Sequence, residues 1–367
     1  MFSERALREL ASVETQGPIL SVYLNVDPTR RTAEEYKLEL REMLRTVNGD
    51  ADPEDSEAIK RYIELDFDWS GRGLAMFSRR ADDIWYAYSL AVPVRSGVTV
   101  ARRPYISPLV ELDGLYGRYA VALIDRQGGK FFYFQMGELV DHKEVEGEDV
   151  RHTRRGRGSS VVGMRGGAPV SGRREAGLVQ RNLKETAAML ADFCQRHHPR
   201  RLILGGAEPT LAQFQEHLPG SLSDLVVGTF GAEMDMGEVE IRERSFELLK
   251  ELEETRHSRI VDTVVTAAAK GLNGVVGLDQ ALSAAHEGRI QVLVVERDYH
   301  QSGYRCNGCG YLTTQQLDRC VFCGGEFSEI SDAVEAVVTQ VVEKGGAVEV
   351  VDDDIMEDTR VGALLRY

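Results

Sequence analysis

The chain reads as α/β (α+β), built from three domains with mixed sheets and flanking helices, and with a small cysteine-stapled ribbon inserted in the last domain. Three observations predict this. Runs of strand-like sequence alternate with helical apolar periodicity along the length. At 367 residues the chain is long enough for two or three separate cores. Four of the five cysteines fall between 306 and 323, as Cys306-Asn-Gly-Cys309 and Cys320-Val-Phe-Cys323. The domains are expected at 1–112, 113–237 and 238–367, with the ribbon at 303–327.

In the first domain, GPILSVYLNVDP (17–28) is a strand closed by Asp-Pro. AEEYKLELREMLRTV (33–47) spaces Tyr36, Leu40, Met43 and Leu44 along one helical face. RGLAMFSRR, DIWYAYSLAVPVR and GVTVARRPY follow as short strands, and Pro104 and Pro108 mark the end of the unit near 110. In the second, YAVALIDRQGGKFFYFQMGELVDHKEV (119–145) holds two or three strands turning at Gln127-Gly128-Gly129. The amphipathic helix 178–198 and the strands 200–209 and 224–230 come next. Gly205-Gly206 ends a strand with no Lys-Ser/Thr after it, which is a tight strand-to-helix turn rather than a phosphate loop. In the third, one or two helices between 238 and 270 and a helix at 278–290 precede the core strand 291–297. After the ribbon come the helix 331–346, with Gly-Gly at its C-cap, and the strand 347–351.

Composition narrows the function. Apolar residues at 43% and charged ones at 28% are those of a globular protein, and the formal charge of -15 excludes a basic field over the whole molecule. No run of 18 apolar residues occurs, and the start MFSERALREL has no hydrophobic segment of a signal peptide, so a cytoplasmic location is expected. An odd cysteine count with four clustered does not form a disulfide framework. Two Cys-x-x-Cys knuckles, each followed by glycine (Gly310, Gly324), present four thiolates tetrahedrally, the donor set of a structural zinc. Four cysteines leave no open coordination position for catalysis, so Cys306, Cys309, Cys320 and Cys323 are expected to staple a surface excursion. Cys194, on the amphipathic helix, reads as core, and His197-His198 and His300 need no function.

The stretch 151–174, RHTRRGRGSSVVGMRGGAPVSGRR, carries Arg151, Arg154, Arg155, Arg157, Arg165, Arg173 and Arg174 and no acidic residue. The rest of the chain keeps 37 basic residues against 59 acidic ones, so a +7 island sits in an acidic protein. Guanidinium forks suit phosphate, and glycine lets a backbone approach a nucleic-acid surface, so an RNA contact is predicted over a merely solubilising insertion. The acidic run EVEGED (144–149) just upstream is positioned to hold the arginines until a stronger polyanion displaces it. No GxGxxG, HExxH, GxSxG or DxDxDG pattern is present, so residues alone favour a zinc-stapled binding protein over a standard enzyme.

The order of these features resembles a known family. A β-rich unit, a Gly/Arg loop with an Arg-Gly-Gly tip, an amphipathic helix and RLILGGAEPTLAQFQ resemble the middle domain of the archaeal and eukaryotic class I peptide release factors. GLNGVVGLDQALSAAHEGRIQVLVVE, the doubled Cys-x-x-Cys and KGGAVEVVDDD with GALLRY resemble their C-terminal domain. The similarity runs over roughly 113–367 and extends to Pelota, the ribosome-rescue relative. The N-terminal unit is similar to that of the bacterial relatives, the Balon-like hibernation factors among them.

The resemblance implies a factor that enters the ribosomal A site, touches ribosomal RNA and P-site tRNA, and meets a translational GTPase such as elongation factor Tu. In release factors a Gly-Gly-Gln tip positions the hydrolytic water. Here Gly166 and Gly167 match the glycines, but Ala168 stands where glutamine would be, followed by Pro169. A methyl group neither donates nor accepts a hydrogen bond, so no catalytic residue is assigned. The N-terminal unit has neither Asn-Ile-Lys-Ser nor Tyr-x-Cys-x-x-x-Phe, so codon-specific decoding is not expected. The expected function is therefore A-site occupancy by a monomer without hydrolysis, in hibernation or stalled-ribosome handling. A peptidyl-tRNA hydrolase with another group in the glutamine's role (Gln180 is the nearest glutamine) is the first alternative. A zinc-stapled protein adaptor is the second.

Overall fold

The computed structural model describes residues 2–15, 17–148, 168–352 and 359–367, with only the backbone given for 168–174. By internal packing the chain forms two compact units. Met1–Tyr116 and Glu251–Tyr367 make the first, and Gly117–Lys250 the second. The opening and closing segments thus fold together, and the division at 250/251 falls inside one long helix.

In the first unit, α1 (Glu4–Ala11) is capped by the Ser3 side chain, and β1 (Ile19–Asn25) follows. α2 (Ala33–Thr46) opens with a capping box in which Thr32 and Glu35 satisfy each other's free amides. α3 (Pro53–Arg61) starts on Asp52 and Pro53, and its last turn widens into a π turn at Tyr62–Asp66. The antiparallel sheet β3 (Ile84–Leu90), β2 (Gly73–Arg79), β1, β4 (Gly97–Ala101) has β1 at its centre. Leu20, Val22 and Leu24 of β1 pack with Tyr36, Leu40, Leu44 and Ile59 of the helices, the face expected from the spacing of α2. The sequence boundary near 110 meets a helix instead. α4 (Ser107–Tyr116) runs through Pro108, because proline is tolerated in a first turn, where its missing N–H costs nothing.

The second unit is a mixed sheet in the order β7-β6-β5-β8-β9. It comprises β5 (Arg118–Ile124), β6 (Gly128–Gln135), β7 (Glu138–Glu146), β8 (Arg201–Gly206) and β9 (Val226–Phe230). β5, β8 and β9 are parallel, and β6 and β7 form an antiparallel meander. α5 (Ala168–His197) lays Leu183, Ala187, Leu190 and Cys194 onto the sheet, joined by Leu211 and Phe214 of α6 (Glu208–Gln215). One turn of helix, α7 (Gly220–Ser223), leads into β9. Gly205 and Gly206 are close-packing positions. A Cβ on Gly205 would meet Leu123 at 2.5 Å, and one on Gly206 would meet the Ile124 carbonyl at 2.4 Å.

α8 (Glu238–Ala269) is a single helix of 32 residues where one or two were expected. Beyond it, β10 (Gly274–Val276), β11 (Ile290–Glu296), β15 (Ala347–Val351) and β16 (Val361–Leu365) make a sheet ordered β10-β16-β11-β15. α9 (Leu278–His286) precedes β11, and α10 (Ala333–Glu343) carries the chain from β11 to its parallel neighbour β15. Into that crossover is inserted a three-stranded ribbon: β12 (Gly303–Cys306), β13 (Leu312–Thr313) and β14 (Phe327–Ile330). Among the described residues no helix is long and apolar enough to cross a membrane.

Candidate functional site

The four cysteines converge. Their sulfurs all lie within 4.8 Å of one another, with Cys306 to Cys323 at 3.4 Å and Cys309 to Cys320 at 3.6 Å. A disulfide requires about 2.05 Å, so no pair is bonded. Tetrahedral ligands about 2.3 Å from a zinc ion stand about 3.8 Å apart, so the cluster has the dimensions of a four-thiolate metal cradle. The local sequence makes this shape. Gly310 and Gly324, each just after a knuckle, have φ of +75° and +71°, values that L side chains resist. The amides of Gly308 and Phe322 each donate to a sulfur at 3.4 Å, to Cys306 and Cys320 respectively. A Cβ on Gly308 would meet the Cys323 sulfur at 3.0 Å, and one on Gly325 the Cys306 sulfur at 3.1 Å. The four sulfurs, and the amides and glycines packed around them, therefore fit a soft dication, as the spacing predicts.

A second group, Glu253 and His257 of α8 with Glu349 of β15, is buried and equally close-set. Here the cation is already built in. Arg256 reaches Glu253 at 2.6 Å and also pairs with Glu349. Burial raises the Glu349 carboxyl and the arginine opposes that shift. This cluster is an ionic staple between helix and strand, and a metal would have to displace a guanidinium.

The arginine stretch is only partly described. Arg151, Arg154, Arg155, Arg157 and Arg165 lie outside the described residues, with Gly166 and Gly167. The expectation of a stretch without helix up to 174 is corrected at its end. α5 begins at Ala168, ten residues before the predicted start, so Ala168, Arg173 and Arg174 are on helical backbone. This turn has no apolar period, so sequence reading missed it. It extends a helix whose body is anchored on the sheet, and adding residues to an existing helix is far easier than nucleating one.

The acidic run upstream is engaged by residues outside the arginine stretch. Glu144 pairs with Lys130 at 3.1 Å, and Glu148 lies 3.8 Å from Arg181. What pins the root of the stretch is Asn182, 1% exposed on α5. Its Nδ2 donates to the carbonyls of Arg126 and Glu148, at 3.1 and 2.9 Å, and its Oδ1 accepts from the Glu148 amide at 3.2 Å. A lone asparagine in a helix carries no motif, and sequence reading passed it over. The carbonyl of Gln127 meanwhile accepts from the Gly147 amide at 2.6 Å.

The remaining single residues behave as ordinary structure. Cys194 is core, and burial pushes its thiol up to about 11, far from a reactive thiolate. His197 bonds Asp141 at 2.8 Å and stacks on Tyr133, and His300 bonds Asp332 at 2.6 Å. Gln180 is in α5, where its Oε1 is 2.6 Å from Nε2 of His217.

The unit Gly117–Lys250 therefore combines a mixed five-stranded sheet with a long helix that follows a Gly/Arg-rich segment, and the chain also bears a four-cysteine ribbon. Residues 104–248 match the model of bacterial archaeo-eukaryotic release factor family 10, a span that contains the whole of that sheet. No curated protein matches. Among solved structures, the archaeal translation termination factor aRF1 is 14% identical, with 100% of this chain and 99% of that one covered at a TM-score of 0.25. Archaeoglobus fulgidus Pelota is 13% identical over 100% and 92%, at 0.37. S. cerevisiae Dom34 is 9% identical over 82% and 83%, at 0.38.

Proposed function

We propose that this protein is a ribosome-associated translation factor that occupies the A site and presents Gly166-Gly167-Ala168 toward the peptidyl-transferase centre without hydrolysing peptidyl-tRNA. The observation that carries the reading is the family match over 104–248, which spans the arginine stretch and its tip. Arg151, Arg154, Arg155, Arg157, Arg165, Arg173 and Arg174 would contact phosphates of ribosomal RNA and of the P-site tRNA acceptor end. Ala168 offers no side-chain group to orient a water, and Gln180, which could have stood in, is bonded to His217. Both features favour occupancy over hydrolysis, hence hibernation or the handling of stalled ribosomes. The metal of the four cysteines is zinc in this reading, with a purely structural role. A translational GTPase such as elongation factor Tu is the expected delivery partner.

The test has two arms. Cosedimentation with ribosomes should weaken steeply between about 50 and 200 mM salt, and replacing Arg154, Arg155 and Arg157 with Ser should reduce the log–log salt slope by about 2–3. Binding indifferent to salt and to the three arginines would remove the stretch from the interface. In a peptide-release assay the wild type should fall at least about 10²–10³-fold below a release factor, the usual loss when one positioned hydrogen-bonding group is missing. Ala168→Gln alone should add little, since Pro169 restricts the residue before it, and Ala168→Gln with Pro169→Ser should add more. Release by the wild type at a release factor's rate would overturn the non-catalytic reading.

A further inference from the structure

The unit formed by Met1–Tyr116 and Glu251–Tyr367 contains a cleft of about 920 Å³, large enough for a ligand of several residues. Two of its walls are strand edges. β4 is the outer strand of the first sheet and contributes Thr99–Ala101, and β14 is the outer strand of the ribbon sheet and contributes Ser328–Ile330. Among the described residues, each outer strand is laddered to a neighbour on one side only. Edge backbone offers alternating N–H and C=O groups, the pattern another extended chain can complete.

The lining from α10 adds an independent sign of a missing ligand. Thr339 is 1% exposed, yet its Oγ1 has no hydrogen-bond partner, and the buried Oε1 of Gln340 has none either. Both side chains line the cleft. Leaving such groups unpaired costs free energy, so they point to a bonding partner that the described residues do not supply. A primary amide carries one acceptor and two donors on a planar group, which matches a peptide bond of a bound chain.

The charges of the cleft select what kind of chain. Arg103 is held by Glu14 at 3.0 Å and by Glu343 at 2.7 Å, and Arg305 pairs with Glu14 as well. Glu335 accepts from the Ile106 amide and the Ser107 hydroxyl. The lining as a whole holds Glu14, Glu329, Asp332, Glu335 and Glu343 against Arg102, Arg103 and Arg305, so it disfavours an acidic segment.

We propose that this cleft binds a short extended peptide without acidic residues, laid as an added strand between the edges of β4 and β14, with Thr339 and Gln340 bonding its backbone. The site does not depend on the ribosomal reading, since none of its residues belongs to the arginine stretch.

The experiment is a selection of displayed random short peptides on the full-length protein, counter-selected on Thr339→Val/Gln340→Met. Enriched peptides should lack acidic residues. They should slow hydrogen exchange at amides 98–102 and 327–331, and should lose at least about tenfold in affinity on the double variant. A ligand-side control needs no protein variant. N-methylation of either alternating set of peptide amides should weaken binding, because alternate residues of a strand face opposite sides and the peptide has an edge on each. Failure to enrich any peptide, equal binding to the double variant with its fold intact, protection elsewhere, or indifference to N-methylation would each overturn the proposal. Saturation of the cleft by a non-peptide small molecule would overturn it as well.

Discussion

On α5, Leu183, Ala187, Leu190 and Cys194 sit against the β6, β5 and β8 side chains, and the polar groups buried among them, Asn182 and Thr186, are uncharged. The junctions inside the other unit have another chemistry. Arg103 links Glu14 to Glu343, Arg297 links Glu111 of α4 to Asp352, and Glu335 of α10 clamps the start of α4 through the Ile106 amide at 2.7 Å. Arg256 sits between Glu253 and Glu349. Burial raises the carboxyls of Glu111, Glu349 and Glu335. The family match lies mostly on the first of these regions, Gly117–Lys250. Its core is held by apolar area and neutral hydrogen bonds, and its ion pairs Lys130–Glu144, Arg181–Glu148 and His197–Asp141 lie outside that core, so pH and salt should move it less. The segments that surround it in sequence meet through charge, and should respond to both.

Removing a metal held, as proposed, by the four cysteines should produce the largest separation between the two regions. Four thiolates within 4.8 Å repel one another unless a cation holds them, and the ribbon offers only a small buried cluster of its own around Cys306, Tyr311 and Cys320. Structural zinc contributes on the order of 10 kcal/mol to folding in small domains. Purified protein should therefore contain about one zinc per chain by the four-thiolate count. A chelator, or Cys320→Ser, should expose amides across 303–330 to exchange and leave those of β5, β6 and β8 protected. Zinc well below a third of an equivalent in chelator-free protein would refute the assignment. Loss of protection in the central sheet would refute the independence of the two regions.

The second effect is a pH dependence confined to the charged unit. Desolvation lifts the Glu335 carboxyl to about 7, against the pull of its bonds to Ser107 and Ile106. Its ordinary value is 4.5, so between 4.5 and about 7 the folded state binds the proton that the unfolded state has released. Stability from this group is thus full below about 4.5 and falls as pH rises through 7, by no more than about 3 kcal/mol. Glu335→Gln keeps an acceptor for the Ile106 amide and does not titrate. Denaturant unfolding at pH 5.5 and 7.5 should show a smaller loss in the variant. Identical losses in the two proteins would remove Glu335 as the source.

How much of this was legible beforehand follows the same divide. The cysteine cradle could be read because ligand spacing and the glycines after each knuckle are local in sequence. The strands β1, β5, β8 and β11 were legible because their apolar runs bury on both faces or nearly so. Less visible were α3, α4 and the first turns of α5. The apolar moment of α4 is weak to the eye, and the start of α5 carries no apolar stripe. Nor could any pattern reveal the partners of Glu335. An acid in the first turn of a helix reads as a dipole-stabilising residue, whereas its bonds are to residues 228 and 229 positions away. The clamps between distant segments are tertiary facts, and a single sequence holds no periodic trace of them.

The smallest effect tests the neutral side of the comparison. Asn182 closes three hydrogen bonds at the root of the arginine stretch, and every partner is a backbone group: the Arg126 carbonyl and the Glu148 carbonyl and amide. Asn182→Ala would leave these groups without their partner beside a helix that is otherwise packed, at a cost of about 1–3 kcal/mol. Because no charge is involved, the loss should be the same at pH 5.5 and 7.5. It should appear as faster exchange at the Gly147 and Glu148 amides, with the ribbon and α10 unchanged. Gly147→Ala offers a steric counterpart, since a Cβ there would meet the Gln127 carbonyl at 2.4 Å and Oδ1 of Asn182 at 2.7 Å. Both variants should loosen the same root and so weaken ribosome binding less than loss of the arginines themselves, because positioning is disturbed while the cations remain. If Asn182→Ala instead destabilises in a pH-dependent way, the Gly117–Lys250 unit is not the neutral, apolar body that its core describes, and the contrast between the two regions fails there.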